Sequence, residues 1–428
     1  VVDEKGSDGF RLFVSSPALL NRGTAIMRIA VIGAGPAGLL AAAEAAKGGA
    51  AVTMFDKNEK AGKKLYITGK GRCNVTNMRA PGEFLEFVVR NPKFLYGAIY
   101  SFTPENTVEL IESNGVKTKT ERGNRVFPQS DKASDITKAL VKNAERCGVE
   151  FSYNSEITDV TKTERGFVLT SRNGKILFDK VIVACGGMSY PSTGSTGDGY
   201  AFARKFGHKI VELRPALVGM TVKESVKSLQ GLSLRNVTAT ISGGGINESR
   251  FGEMLFTSCG VSGPIILTLS SLINRVGKVK DMTPAMTIEE LDRRILSDFN
   301  KNLNKHFKNG LDELLPKSLI PYIIKVVDIP PEKPLNSVTK DDRLKLAGTL
   351  KALRFGVESL GGINEAIVTS GGVNVSEINP KTMESKLVPG LYFAGEVLDA
   401  DALTGGFNIQ IALSTGYVAG RSAAGGKQ

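Results

Sequence analysis

Three clusters of residues in this 428-residue chain have the types and spacing to do chemistry. The first is Gly33-Ala34-Gly35-Pro36-Ala37-Gly38, with Asp56 following it about twenty positions on. A GxGxxG turn brings backbone amides against a pyrophosphate, and an acid at that separation accepts hydrogen bonds from ribose hydroxyls. A carboxylate at Asp56 also disfavours a 2′-phosphate. The second cluster is stretch 62–77, which crowds together Lys64, Tyr66, Gly69, Gly71, Arg72, Cys73, Asn74, Thr76 and Asn77. Its glycines allow close backbone approach, its cations suit phosphate, and its amides suit a heterocycle. The third is Gly395-Glu396, followed by Thr404-Gly405-Gly406-Phe407-Asn408-Ile409. Glu396 can accept hydrogen bonds from a sugar-like hydroxyl chain. A helix starting near Asn408 would aim its positive end at a ring carbonyl or phosphate. A negative charge beside a reactive ring would oppose its reduction, so that helix end would matter.

The elements that must hold these residues are legible around them. Met27 to Ile32 is an apolar β run, an alanine-rich helical stretch follows the glycines, and Ala51 to Phe55 is a second β run ending at Asp56. Strand, glycine turn, helix, strand and acid in that order give the dinucleotide-binding context. The alternative is a glycine-rich turn in some other α/β protein. For the basic stretch 62–77 it is a solvated loop. Stretch 83–112 reads as helical with breaks at Pro92 and Pro104, and Ser134 to Cys147 as an amphipathic helix. Val149–Phe151, Glu156–Thr161 and Phe167–Ser171 alternate like strands, with an Asn173-Gly174 hairpin turn. Val181–Ala184 is a short buried strand leading into Cys185-Gly186-Gly187. Ala216 to Gly245 and Met254 to Ser271 read as β-rich, Ile288 to Leu315 as helical, and Lys340 to Phe355 as helical or mixed. Glu365–Thr369 and Gly390–Phe393 read as buried strands, and Thr404 to Gly420 as a closing helix. The expected organisation has four parts: an extension at 1–26 ahead of a natural start at Met27, a discontinuous cofactor domain at 27–213 plus 360–428, a β-rich insertion at 214–280 plus 335–359, and a small helical domain at 281–334.

Composition narrows the partners. No apolar run approaches the ~20 residues of a membrane span. The four cysteines, Cys73, Cys147, Cys185 and Cys259, are scattered without CxxC or metal spacing. Reduced thiols, a cytoplasmic location and no metal are expected. The net charge of +12 suits an anionic ligand or nucleic acid. Much of it is local: Lys57, Lys60, Lys63, Lys64, Lys70 and Arg72 follow the first βαβ unit, opposed by Glu59 alone. A pyrophosphate neighbour accounts for that segment more simply than RNA.

The chain resembles the HI0933-like, or BaiN-like, family of bacterial flavoproteins, also labelled aminoacetone oxidase family FAD-binding enzymes. The resemblance rests on MRIAVIGAGPAGL, GKKLYITGKGRCNVTN, GGMSYPSTGSTGDGYAFARKFGH, FGEMLFTSCGVSGP, TSGGVNVSEINPKTMESK and GLYFAGEVLDADALTGGFNIQIALSTGYVAG, which together span nearly all of 27–420. It implies a glutathione-reductase-like, Rossmann-type FAD/NAD(P)-binding α/β domain with an inserted β-rich domain and a small helical domain. It implies FAD contacts near Gly33 to Gly38, Asp56, Arg72, Cys73, Asn74, Glu396, Asn408 and Ile409, with Ile157 near the adenine. Lys57, Lys64, Gly71, Ala184, Gly186, Gly187, Gly395, Gly406 and Phe407 complete the expected cofactor-binding set. Two departures stand out. Cys185 stands where the family often has Thr, and Ser258 where it often has His after Phe-Thr. The second leaves no histidine for a general-acid role at that position.

The chemistry expected follows from what is absent. Only His208 and His306 occur, one in a Gly-His-Lys segment and one in a charged helical region. Neither builds a Ser-His-Asp or Cys-His set, so the hard step falls to the cofactor. Tyr190, Tyr66 and Cys73 are the catalytic candidates, with Ser189 also near the expected ring. For Tyr190 a core aromatic with a satisfied hydroxyl is the competing reading. No second GxGxxG lies in a strand–helix setting, so no separate nicotinamide domain is expected: either NAD(P)H visits the flavin as a transient co-substrate, or the substrate is itself the reductant and oxygen or a quinone the acceptor. The expected activity is FAD-dependent hydride transfer with a small or medium organic substrate held between the cofactor domain and the insertion. Two alternatives stay open: an RNA-modifying flavoprotein using the basic surface, and a flavin redox sensor without turnover.

Overall fold

A computed structural model describes residues 26–275, 281–283 and 288–426. The expected extension, all but Ile26, lies outside the described residues. Contacts divide the chain into two units, Val1–Leu213 with Val368–Gln428, and Arg214–Ile367. The return to the first unit thus falls at Val368, where the sequence suggested 360.

The first unit is built on β1 (Arg28–Ile32), α1 (Pro36–Lys47), β2 (Ala51–Phe55), β3 (Glu150–Ser152), β4 (Lys180–Val183) and β5 (Leu391–Phe393). The strands form one parallel sheet in the order β5-β4-β1-β2-β3. Ile29, Ala30 and Val31 of β1 are fully buried, as are Val181, Ile182 and Val183 of β4. A parallel sheet covered on both faces needs such continuous apolar strands. The closing helix, α2 (Phe407–Ala423), lies against α1. A Cβ on Gly416 would stand 2.3 Å from the Ala37 carbonyl oxygen, and one on Gly420 would stand 2.2 Å from that of Ala41. These two glycines, one helical turn apart, rest on the backbone of Ala37 and Ala41, so the two helices approach closely there. Stretch 83–112 resolves into helices Pro81–Leu85, Pro92–Ser101 and Pro104–Ser113, each opened by a proline at its first turn.

The second unit holds a closed barrel of Met220–Val222, Gly260–Ser262, Ile246–Phe256, Ser233–Gly243, Asp281–Thr283 and Phe355–Leu360, neighbours in that order. The barrel therefore draws a strand from the stretch read as helical. Four sequence expectations are corrected here. Pro264–Ile273 is a helix rather than β structure. Its apolar run is buried on most sides, which erases the helical period, and Gly263-Pro264 is its start signal. The Ile288 helix stops at Asn300, and only a short helix, Phe307–Gly310, follows before Leu315. Helix Lys340–Lys351 ends before Phe355, which opens a strand. The strand expected at Glu365–Thr369 runs instead from Val368 to Val373. No helix of the described residues is long and apolar enough to cross a membrane.

Candidate functional site

The glycine turn joins β1 to α1, and each glycine has a separate task. Gly33 has φ +107°, and a Cβ there would stand 2.5 Å from the Ala184 carbonyl oxygen at the end of β4. Gly38 sits so tightly on Gly33 that a Cβ would lie 1.9 Å from its carbonyl oxygen. Gly35 is different: nothing lies within 4 Å of its Cβ position, so open space faces the turn. No side chain caps α1, no acidic residue stands in its first turn, and Pro36 is its first residue. The amides of Ala37 and Gly38 thus carry the positive end of the helix toward that space.

Asp56, at the end of β2, fastens the turn. Its Oδ2 accepts from the Ala34 amide at 2.7 Å, and its Oδ1 accepts from the Asn58 amide at 2.8 Å and from Asn58 Nδ2 at 2.9 Å. Next to it, Lys57, Asn58, Asn154, Ser155, Glu156, Ser171, Arg172 and Asn173 line a cavity of about 390 Å³. Ile157, almost fully buried, opens the strand that leaves this cavity. Lys57 pairs with Asp198 at 2.6 Å and also contacts Thr196.

A second polar cluster forms at the carboxyl ends of β4 and β5. Lys64 Nζ donates to both Glu396 oxygens, at 2.9 and 2.8 Å, and to Ser189 Oγ at 2.6 Å. Gly62 ties that loop to the glycine turn, its amide donating to the Ala34 carbonyl at 2.9 Å. Gly395, with φ +81°, lets the Glu396 turn sit on α1: a Cβ there would be 2.8 Å from that of Ala37. Gly187 faces the same cluster, 2.4 Å from Thr369 Oγ1 and 2.8 Å from Glu396 Oε1 by the same measure. Thr369 is a member that sequence reading missed. Its Oγ1 accepts from the Met188 and Ser189 amides, and its amide donates to Glu396 Oε1. Only its place in the TSGGVN motif hinted at it.

Other expected site residues are placed less directly. Arg72 stacks on Phe127 at 4.2 Å and is committed to Glu121 and Asp131, so its charge is met by two carboxylates. Gly71, with φ +85°, sits beside it in an exposed turn. Cys73 is fully buried at φ +57°, and burial pushes its thiol up to about 12. It is a neutral thiol, closed to solvent. Asn74 and Asn77 each leave a buried side-chain oxygen without a partner. Tyr66 lies under the Lys60 ammonium, 4.8 Å from its ring centre. Tyr190 takes a left-handed φ of 53° at the start of the Pro191–Thr193 turn. Gly186, at φ +75°, follows Cys185, whose burial also raises its thiol pKa. Gly406, at φ +96°, approaches the Thr76 carbonyl, and Phe407 stacks on Phe87 at 4.6 Å. The Asn408 side chain braces the preceding turn, accepting from the Ala402 amide at 2.9 Å and donating to its carbonyl at 2.7 Å. Ile409 is half-buried beside it. α2 begins at Phe407 with no capping side chain and no first-turn acid.

His208 is buried structure. Leu387 and Val388 amides occupy the acceptor sites of Ser385 Oγ, so that hydroxyl donates to His208 Nε2, and Nδ1–H is left to donate to Glu377. Desolvation lowers its pKa despite Glu377. His306 is half-exposed beside Glu332.

A bare glycine over open space, an uncapped helix end, a polar cavity beside Asp56 and orphaned Asn74 and Asn77 oxygens suit an extended dinucleotide. The HI0933-like protein Rossmann domain model matches residues 27–422. The chain belongs to the HI0933-like family. It is 32% identical over 408 residues to a 3-dehydro-bile acid delta(4,6)-reductase of Clostridium scindens, covering 93% of this chain and 99% of that protein. It is 33% identical over 393 residues to a ribosomal RNA dihydrouridine synthase of Escherichia coli, covering 90% and 95%. Among solved structures, an open flavocytochrome c3 fumarate reductase aligns with TM-score 0.49 and 18% identity, covering 94% of this chain and 78% of that one. The expected class, an FAD-dependent oxidoreductase on a Rossmann-type α/β frame, is the class of this family member.

Proposed function

We propose that this chain uses FAD to reduce a carbon–carbon double bond conjugated to a carbonyl group. The observation that carries the FAD part is the uncapped start of α1 over the bare Gly35, flanked by Asp56 and by Glu396 with its partners; the substrate class is supported by what the names of two relatives share. In this reading the Gly33–Gly38 amides hold the diphosphate. Asp56 meets the ribose, and the cavity from Lys57 to Asn173 takes the adenine. Ala184, Gly186, Gly187, Glu396, Lys64 and the start of α2 at Phe407, Asn408 and Ile409 surround the flavin end. Bound and reduced, the flavin supplies a hydride. NAD(P)H is the donor we favour, arriving transiently.

The names of the two relatives describe one kind of chemistry. A 3-oxo steroid unsaturated at positions 4 and 6 and a uracil ring both carry an alkene conjugated to a carbonyl. Saturating either adds a hydride at the far alkene carbon and a proton at the near one. Tyr190 and Tyr66 are the candidates to deliver that proton, since neither histidine is placed as a catalyst.

The narrower reading of uracil within RNA is supported by the ribosomal RNA dihydrouridine synthases of Escherichia coli and Haemophilus influenzae, each 33% identical over 90% of this chain. Photoreduced holoprotein would be mixed without oxygen, in separate arms, with a 4-ene-3-oxo steroid and with unmodified ribosomal RNA. Rapid flavin reoxidation in either arm supports conjugate reduction. Reoxidation by RNA that weakens steeply with salt selects the nucleic-acid substrate. Silence in both arms, with oxygen still reoxidising the flavin, refutes the proposal.

A further inference from the structure

Glu396 poses a problem for a flavin site. Its place after β5 makes it the acceptor for the cofactor's hydroxyl chain, yet a carboxylate there opposes the negative charge that reduction adds to the ring. The carboxylate is half-buried, its side chain 22% exposed, so water screens it only in part. Its four hydrogen bonds come from Lys64 Nζ on both oxygens, Ser189 Oγ at 3.0 Å and the Thr369 amide at 2.9 Å. Of these three donor groups, the Ser189 hydroxyl and the Thr369 amide are neutral; the charge itself is met by Lys64, the cation in salt-bridge contact with Glu396 among the described residues. Lys64 is equally half-buried, and Ser189 Oγ holds its ammonium from the side. Its loop is fastened to the glycine turn through the Gly62 amide and the Ala34 carbonyl, so the cation is anchored beside that turn rather than free on the surface.

We propose that Lys64 is the built-in counter-ion of Glu396, so that Glu396 can bind the cofactor's hydroxyls without making the flavin harder to reduce. Lys64 is a positioning and electrostatic residue: it acts through the carboxylate and not on the substrate. The inference rests on the FAD reading above. It also separates Lys64 from Arg72, whose charge is already spent on Glu121 and Asp131.

The test is the midpoint potential of the bound flavin in the full-length holoprotein, measured by dye equilibration in wild type, Lys64→Met, Lys64→Arg, Glu396→Gln and the Lys64→Met/Glu396→Gln double variant. Lys64→Met should shift the two-electron equilibrium about tenfold toward the oxidised form, ~30 mV. Lys64→Arg should stay near wild type, Glu396→Gln should move the opposite way, and the double variant should return toward wild type. A potential unchanged in Lys64→Met, or a double variant whose shift is the sum of two same-sign shifts, overturns the inference while leaving the FAD reading intact. If Glu396→Gln no longer retains flavin, the Lys64→Met and Lys64→Arg pair still decides it. Wild-type protein that binds no FAD at all overturns both.

Discussion

Gly38 and Gly33 touch through their backbones: a Cβ on Gly38 would stand 1.9 Å from the Gly33 carbonyl oxygen. No rotamer relieves a clash with backbone, so Gly38→Ala must push α1 away from the turn. Overpacking of this kind costs about 1–3 kcal/mol. Gly38→Ala should lower the thermal midpoint and weaken FAD binding together. Gly35→Ala meets nothing within 4 Å, so it should leave the stability of the apoprotein nearly unchanged while still weakening FAD binding. Thermal melts with and without FAD compare the two.

Asp56 acts on the turn and, in our reading, on the ribose. Asp56→Asn keeps the shape but turns one acceptor into a donor facing the Ala34 amide or Asn58. Loss of hydrogen bonds to a charged group costs about 1.5–3 kcal/mol each. FAD affinity should fall by roughly tenfold to a hundredfold, read by quenching of flavin fluorescence on titration. An affinity equal to wild type would remove Asp56 from the cofactor site.

His208 predicts a pH dependence. Burial lowers its pKa, so the folded chain keeps it neutral while the unfolded chain takes up a proton below about 6.5. The unfolded state therefore binds more protons in that window, and stability falls as pH drops from about 6.5 toward the lower folded value. His208→Gln should flatten this part of the pH–stability curve. Urea unfolding at a series of pH values measures it, and an unchanged slope would contradict the assignment.

Gln410 is the hub of a buried network. Its Oε1 accepts from Thr76 and Thr107, and its Nε2 donates to the Phe102 carbonyl and to Ser414. Gln410→Leu strands several buried polar groups at once and should cost about 2–4 kcal/mol. Chemical denaturation gives the value directly.

Cys73 and Cys259 should differ in reactivity. Cys73 is buried with its thiol pushed up to about 12, and Cys259 is exposed. A maleimide applied to native protein should mark Cys259 and spare Cys73, as peptide mass mapping would show. Rapid native labelling of Cys73 would restore it as a nucleophile.

What could be read from sequence was local. Gly33 to Asp56 is a single βαβ unit whose signals lie within one turn, one helix and one strand. The near-continuous apolar runs of β1, β4 and β5 announced a covered parallel sheet. Pro264–Ile273 misled because a helix buried on most sides loses its period. The Lys64–Glu396 pair and the Thr369 contacts were illegible because folding joins residues distant in the chain. The commitments of Arg72 and Asn408 were illegible for a related reason: residue type says what a side chain can bond, while tertiary neighbours decide what it does bond.

The central claim is that FAD lies along the glycine turn. Native mass spectrometry of the purified full-length chain incubated with FAD, beside a Gly35→Val variant whose added Cβ meets nothing within 4 Å, tests it most directly. The account predicts one FAD per wild-type chain and none on the variant, with the variant still folded by circular dichroism. No bound FAD on wild type, or equal loading of both proteins, would contradict it.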